Sequence, residues 1–392
     1  MSQQPISLSP DLKRLRDDGY DLEIRYGHLL VKDVPYVNVQ REIKRGTLVS
    51  ELNLAGDVTQ TPKDHVAHLV GEYPCDHNGA ALDKIRHPSS SRQNFGETLT
   101  TDHSFSSKPL SGSYKDYYDK MTTYVAILSS PARQIDPAVT ARMYNPVPAY
   151  DDDSVFKYID TASSRAGIGA AAAKVALNKI AIIGVGGTGS YVLDLVAKTP
   201  VKEIHLFDGD RFLQHNAFRA PGAPSMEELR SAGTKAHYWA GRYAPMRNGI
   251  IPHEYHIDAS NVAELQPMDC VFITMDGGDA KRVIVENLEA FNIPFIDTGM
   301  GVELVDTSLR GVLRVTTSTP QKRDHFRGRV SFAETANDDY ERNIQIADLN
   351  ALNAALTVIK WKKLFGFYFD HLNEHHSTYA VTSNNLVDED RT

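Results

Sequence analysis

The first chemical signal in this sequence is a run of seven residues, Gly184-Val185-Gly186-Gly187-Thr188-Gly189-Ser190. Gly184, Gly186 and Gly189 stand directly after an Ile-rich apolar stretch, Lys179–Ile183, and open a helical pattern over Ser190–Lys198. A chain that turns tightly from strand into helix and lets a phosphate touch its backbone needs residues without Cβ there. The first N–H groups of the helix then offer that phosphate unpaired donors and a partial positive charge. A second apolar run, Glu203–Phe207, ends in Asp208-Gly209-Asp210. Asp208 follows Gly184 by 24 residues, where a carboxylate meets ribose hydroxyls in dinucleotide-binding folds. These residues alone specify a nucleotide and leave NAD and ATP as alternatives.

Further positions extend the pattern. Asn216 stands eight residues after Asp208, and Arg219 three beyond that. Lys235 lies in a helical stretch after small residues, Ser231 to Thr234. The apolar run Cys270–Thr274 leads into Met275-Asp276, and Arg165 precedes the first strand. In this order the residues resemble those of the MoeB/ThiF adenylyltransferases and the ubiquitin-activating enzymes. The likeness covers roughly residues 160–320, with a looser fit to the end. The doubled Gly186-Gly187 and the trailing Ser190 fit that family's loop and are uncommon in NAD-binding loops. Two positions depart from it: Ala220 stands where the family has Gln after the Arg, and Gly277 where it has Asn after the Asp.

The resemblance implies ATP-dependent adenylation of the C-terminal carboxylate of a ubiquitin-like protein or peptide. Gly184, Gly186, Gly187, Gly189 and Ser190 would cradle the phosphates, and Asp208 would take the ribose. Asp210 and Asn216 would orient the basic residues or the phosphates, and Arg219 and Lys235 would face the triphosphate. Asp276 would hold Mg2+, which binds few carboxylates together with substrate phosphates. Arg165 would reach the nucleotide of a partner subunit, so a homodimer is expected. An NAD-dependent oxidoreductase is the second reading. A catalytically weak scaffold that binds a ubiquitin-like partner is the third, motivated by Ala220 and Gly277.

Ubiquitin-activating enzymes carry a downstream cysteine that takes the activated carboxylate. This sequence holds only Cys75 and Cys270, and Cys270 lies inside an apolar strand. The reaction is therefore expected to stop at the adenylate, with a partner thiol, hydroxyl or amine as acceptor. Cys75, in a turn-like stretch beside His77, is the one outside candidate for a reactive thiol. Two cysteines cannot build a four-cysteine zinc site, so no zinc is expected.

These residues need a frame. Repeated strand and helix patterns from residue 178 predict an α/β, Rossmann-like, doubly wound and mainly parallel sheet. Strands are expected over Lys179–Ile183, Glu203–Phe207, Ile250–Ile257, Cys270–Thr274 and Pro294–Asp297, with helices over Met226–Met246 and Ala280–Phe291. Val302–Asp306 and Leu309–Thr317 read as an antiparallel pair, 319–345 as a mobile loop, Ile346–Phe365 as a helix and Thr378–Val387 as a closing strand. The helix places Ile346, Leu349, Leu352, Leu356, Ile359 and Leu364 as its apolar set.

Residues 1–150 read as a separate α+β accessory domain, with residues 151–392 as the adenylation domain. In that first part, Leu22–Val34, Thr47–Leu54 and His65–Gly71 read as strands, 87–113 as a loop and Tyr114–Ser129 as a helix. An extension fused in this way is similar in arrangement to those of bacterial ubiquitin-like modification operons, often near antiphage genes. Its expected role is recruiting a ubiquitin-like, conjugating or acceptor protein, and a degenerate conjugating domain is the alternative.

The bulk numbers narrow the class. A net charge of −8 argues against a nucleic-acid-coating surface, and 41% apolar content fits a folded soluble chain. No apolar run is long enough to span a membrane, no apolar N-terminal leader is visible, and the two cysteines suit the cytoplasm.

Overall fold

The computed structural model describes residues 4–149, 154–333 and 344–392. The chain divides into two compact units: Met1–Asp152 with Ile159–Ala166, and Asp153–Tyr158 with Gly167–Thr392. The division is therefore an exchange of short segments around residue 150. Lys157 donates its N–H to the Met246 carbonyl in the second unit, while Ser164 bonds the Asp17 carboxylate in the first.

The first unit opens with helices α1 (Gln4–Leu8) and α2 (Pro10–Asp17). Strands β1 (Leu22–Arg25), β2 (His28–Val37), β3 (Ile43–Glu51), β4 (Val66–Val70) and β5 (His103–Ser106) pair antiparallel in sequence order. Helix α3 (Tyr117–Ile135) places Tyr117, Met121, Tyr124 and Leu128 on one stripe against Leu29, Val31, Leu48 and Phe105 of the sheet. Asp116 caps its N-terminus, accepting the Asp119 N–H at 2.8 Å. The stretch 87–113 is not simply a loop. It contains β5 and a hairpin of Gln93–Gly96 with Leu99–Thr101. Its polar composition hides a strand whose backbone groups are satisfied by β4. Helix α4 (Thr161–Ala166) completes this unit.

In the second unit, strands β6 (Lys179–Ile183), β7 (Glu203–Phe207), β8 (Ile250–His253), β9 (Cys270–Ile273), β10 (Phe295–Val305), β11 (Ser308–Ser318), β12 (Glu374–Ala380) and β13 (Asn385–Arg391) form one sheet. Its order is β8-β7-β6-β9-β10-β11-β12-β13. The pairs from β8 to β10 are parallel, and those from β10 to β13 are antiparallel. Helices α5 (Gly187–Val196), α6 (Lys235–Tyr243), α7 (Asp279–Ala290) and α8 (Ala347–Leu364) cover the sheet. Alternate residues of β6 enter different cores. Ile180 and Ile182 join Val192, Trp239 and Trp361, whereas Ala181 and Ile183 join Ile284 and Leu288. A strand buried on both faces must be apolar throughout, and β6 is.

Several expected bounds change. The helix Met226–Met246 breaks at Ala232–Thr234, because Thr234 caps α6 by accepting the His237 N–H at 3.2 Å. The strand expected to end at Ile257 ends at His253. Phe295–Val305 is one strand, and its glycines 299 and 301 do not turn the chain. The closing strand is a hairpin, β12 with β13. In the stretch expected as a mobile loop, residues 319–333 carry a short helix, Phe326–Arg329, anchored by buried Phe326 against Phe295. The remainder of that loop, 334–343, lies outside the described residues.

Helix α8 falls on the expected helix Ile346–Phe365 to within one residue at each end. Its buried positions are Asn350, Asn353, Ala354, Thr357, Val358, Lys360 and Trp361, while Ile359 is exposed. Among the described residues no helix is long and apolar enough to cross a membrane.

Both tryptophans, Trp239 and Trp361, lie in the second unit, so their fluorescence reports that unit alone. Trp361 is fully buried against Phe272. Trp361→Ala should lower the unit's denaturation free energy by about 3–5 kcal/mol, followed in urea by Trp239 emission. A loss under about 1 kcal/mol would contradict this packing.

Candidate active site

The parallel strand order reverses between β6 and β9. Loops leaving the carboxyl ends of those two strands diverge to opposite sides and open a crevice. A cavity of about 860 Å³ lies there, lined among others by Gly184, Gly186, Gly187, Asp208, Asp210, Arg219, Lys235 and Asp276. Eight of the residues singled out in the sequence thus meet on one surface.

The loop itself shows why each glycine is needed. Gly184 takes φ +85°, the left-handed region. At Gly189 a Cβ would collide with the Gly184 carbonyl oxygen and the Thr274 hydroxyl, so helix α5 packs directly onto the turn before it. Gly187 faces the side chains of Asn350 and Gln345. The two remaining members of the set have structural work here. Gly189 does not line the cavity, and Ser190 is buried and donates its hydroxyl to the Gly187 carbonyl at 2.7 Å. Thr188 reaches helix α8, donating to Asn350 Oδ1 at 2.9 Å.

Asp208 pins this loop. Its Oδ2 accepts the Val185 N–H at 2.8 Å and its Oδ1 accepts the Asp210 N–H at 3.0 Å. Burial pushes the carboxyl above its ordinary value, while Lys235 and the two N–H groups pull it down. Asp210 accepts from the Lys235 ammonium at 2.7 Å, and Lys235 Nζ lies 3.9 Å from Asp208. Burial alone would raise the Asp210 carboxyl, but Lys235, followed by His256, holds it below its ordinary range. The break before α6 makes this possible: the Lys235 backbone N–H bonds the Asp210 carbonyl at 2.7 Å.

Arg219 lines the cavity, and its Nε is buried with no hydrogen-bond partner among the described residues. Its carbonyl accepts from Asn350 Nδ2 at 3.1 Å. Asn216 does not line the cavity. It is buried and accepts the Leu213 N–H at 2.8 Å, closing the turn that presents Arg219. Ala220 is part of the hydrophobic core, which explains its small apolar side chain. Asp276 lines the cavity at the end of β9. At Gly277 a Cβ would come within 2.7 Å of the Ala333 carbonyl, so the residue is small because another segment passes there.

The sequence reading missed one group. Asp297 is fully buried, with Lys281 Nζ 2.7 Å from Oδ2 and Arg314 donating to Oδ1 at 2.5 Å. Arg314 also donates to Thr316 Oγ1 at 2.8 Å. Lys281 and Arg314 both line the cavity. Nothing in the spacing joins residues 281, 297 and 314; they meet because α7, β10 and β11 are neighbours.

Arg165 sits on α4 in the first unit, its guanidinium 5.9 Å from the Tyr144 ring centroid, and it is not among the cavity's lining residues. Cys75 is buried, its thiol directed at the Tyr73 carbonyl at 3.6 Å, and burial pushes its pKa up. That is the opposite of an activated thiolate. Burial also raises the thiol of Cys270. Among the described residues no group of three or more His, Cys, Asp or Glu is placed to hold a metal. A single cavity carboxylate such as Asp276 suits Mg2+, which takes most of its ligands from water and substrate phosphates.

Comparison with known proteins locates two families. Residues 163–357 match the ThiF family, and residues 10–161 match a domain of unknown function, DUF6791. No curated protein sequence matches the chain. Among solved structures, E. coli MccB is similar at 17% identity and a TM-score of 0.45, over 56% of this chain and 64% of that one. E. coli MccB with ATP gives 17% identity and 0.45, over 56% and 66%. PaaA gives 13% identity and 0.42, over 56% and 75%. This chain thus spans less than two thirds of the length of the MccB chains.

The Asp210–Lys235 pair yields a titration test. The Asp210 carboxyl is held below 3.8, so its contribution to stability is present above that pH and is lost as pH falls through the folded value. In Lys235→Met burial loses its main opponent, and the Asp210 pKa should move upward, read by NMR of its carboxyl carbon. An unmoved pKa would show that Lys235 does not set it.

Proposed function

We propose, from the premise that residues 163–357 form a ThiF-family domain, that this chain uses ATP to adenylate the C-terminal carboxylate of a peptide or ubiquitin-like protein. The observation that carries this reading is the convergence of the glycine loop, Arg219, Lys235 and Asp276 on one cavity at the strand switch point. An oxidoreductase needs a nicotinamide pocket and a hydride acceptor. Arg219, Lys235 and Asp276 gathered beside the glycine loop fit a triphosphate with its metal, which supports ATP over a nicotinamide cofactor.

In the proposed reaction a carboxylate oxygen attacks the α-phosphorus of ATP. The new acyl O–P bond forms as the bond from the α-phosphorus to the bridging oxygen breaks, and pyrophosphate leaves with the electron pair. Both reactants are anions, so lowering the barrier is chiefly electrostatic and positional. The helix α5 terminus and the loop N–H groups would take the phosphates. Arg219 would face the triphosphate with a forked contact, and Lys235, fixed by Asp210, would add a point charge. Asp276 would hold Mg2+, whose charge offsets that of the phosphates when it is bound.

Neither cysteine lines the cavity. The acyl-adenylate is therefore proposed to pass to a thiol, hydroxyl or amine of another molecule. The first unit is proposed to recruit that molecule or the substrate. A homodimer, in which Arg165 serves the partner's nucleotide, belongs to the same proposal, as does a setting in a bacterial ubiquitin-like modification pathway linked to antiphage defence.

Pyrophosphate–ATP exchange, run with ubiquitin-like proteins encoded beside this chain, tests the reading. Exchange should appear with one of them and fall at least about 100-fold in Asp276→Ala. ATP binding without exchange for any neighbour would favour a scaffold, and NADH binding in place of ATP would sink the proposal.

A further inference from the structure

The charges in the cavity wall are not evenly balanced. Lys235 is shared by two carboxylates, Asp208 and Asp210. Arg329 is likewise held by Glu389 and Asp390. At Asp297 the balance reverses: one fully buried carboxylate serves two cations, Lys281 and Arg314. Among the described residues that corner carries a surplus positive charge facing the cavity, and a low-dielectric wall makes such a surplus attractive to an anion.

A second observation says which anion. Asn353, on α8, is 1% exposed and lines the cavity. Its Nδ2 donates to the Gly299 carbonyl at 3.0 Å, which fixes the amide's orientation, and its Oδ1 is buried with no partner among the described residues. Gly299 is also where Arg314 lies: a Cβ there would come within 2.6 Å of the guanidinium. Surplus positive charge and an orphan acceptor therefore meet at one residue. A buried acceptor without a donor is costly, so its ligand should bring an N–H. A triphosphate is an anion without N–H donors, and an adenine amino group is a donor without charge. A peptide C-terminus brings both within one residue. Gly301, two positions on, has open space where its side chain would be, leaving room for a chain to pass.

We propose that Arg314 and Asn353 form the carboxylate-side subsite, the guanidinium holding the substrate's terminal carboxylate and Asn353 Oδ1 accepting the N–H of its last residue. Asp297 and Thr316 are the positioning residues for Arg314. The assignment rests on the adenylation reading above for its substrate class.

The test uses the full chain with three probes: N-acetyltriglycine, its C-terminal amide, and the analogue whose last residue is sarcosine and lacks the N–H. Calorimetry should show the acid bound and each of the others weaker by about tenfold or more. Arg314→Met should weaken the acid by about tenfold or more and leave the amide unchanged, with Arg314→Lys intermediate. Asn353→Ala should abolish the difference between the acid and the sarcosine analogue. Binding of α,β-methylene-ATP should stay within about twofold in all variants, which also shows that they fold. Equal binding of acid and amide, no binding of the acid, or loss of nucleotide rather than peptide in Arg314→Met would each overturn the subsite. Acid binding through Arg314 in a protein that does not bind the nucleotide would keep the subsite and overturn the adenylation reading.

Discussion

The glycine-loop end of the second unit depends on one buried carboxylate. Asp208 leaves β7 and takes the backbone N–H of Val185, the second residue of the glycine loop, on one oxygen. Its other oxygen takes the N–H of Asp210, which in turn fixes Lys235. Two adjacent parallel strands, the loop after one and the helix after the other are thereby tied at a single side chain. Burying that charge is costly, and the two N–H bonds with the nearby ammonium offset the cost. The loop's opposite side is held as firmly: Trp239 donates to the Val185 carbonyl at 3.1 Å, and Thr188 bonds Asn350 on α8.

From that anchor the cavity separates into two electrostatic characters. Around the glycine loop, acids outnumber the lysine they hold, and the helix terminus and Arg219 lie on the same cavity. Around Gly299 the cations outnumber the acid. The long strand β10 joins the two, since its first residues pair parallel with β9 beside Asp276 and its continuation along β11 carries glycines 299 and 301.

Much of this was legible in the sequence, for identifiable reasons. The glycine loop, Asp208 and Asp276 sit at strand ends, and a parallel strand buried on both faces is a short apolar run that stands out from polar loops. Arg219 and Lys235 were legible only as a spacing, and the structure supplies the cause: a turn closed by Asn216 and a helix broken at Thr234. Ser190 illustrates the limit, because a motif position said phosphate where the hydroxyl is engaged inside its own helix. Helix α8 was legible as a helix, but its inward face was not. Its inward face carries Asn350 and Asn353, polar groups whose partners lie more than 50 residues away. Asp297, Lys281 and Arg314 were invisible for the same reason: long-range pairs leave no periodicity. In the first unit, β5 was missed because a short polar strand satisfied by its neighbour looks like a loop.

This cavity is proposed to direct attack at the α-phosphorus of ATP. Product identity decides it most directly. The full chain, incubated with ATP, Mg2+, a candidate ubiquitin-like protein and hydroxylamine, should release AMP and pyrophosphate. It should also leave a hydroxamate on the candidate's C-terminal carboxyl, seen by mass spectrometry. Release of ADP and phosphate, or hydroxamate formation that does not require ATP, would contradict the account.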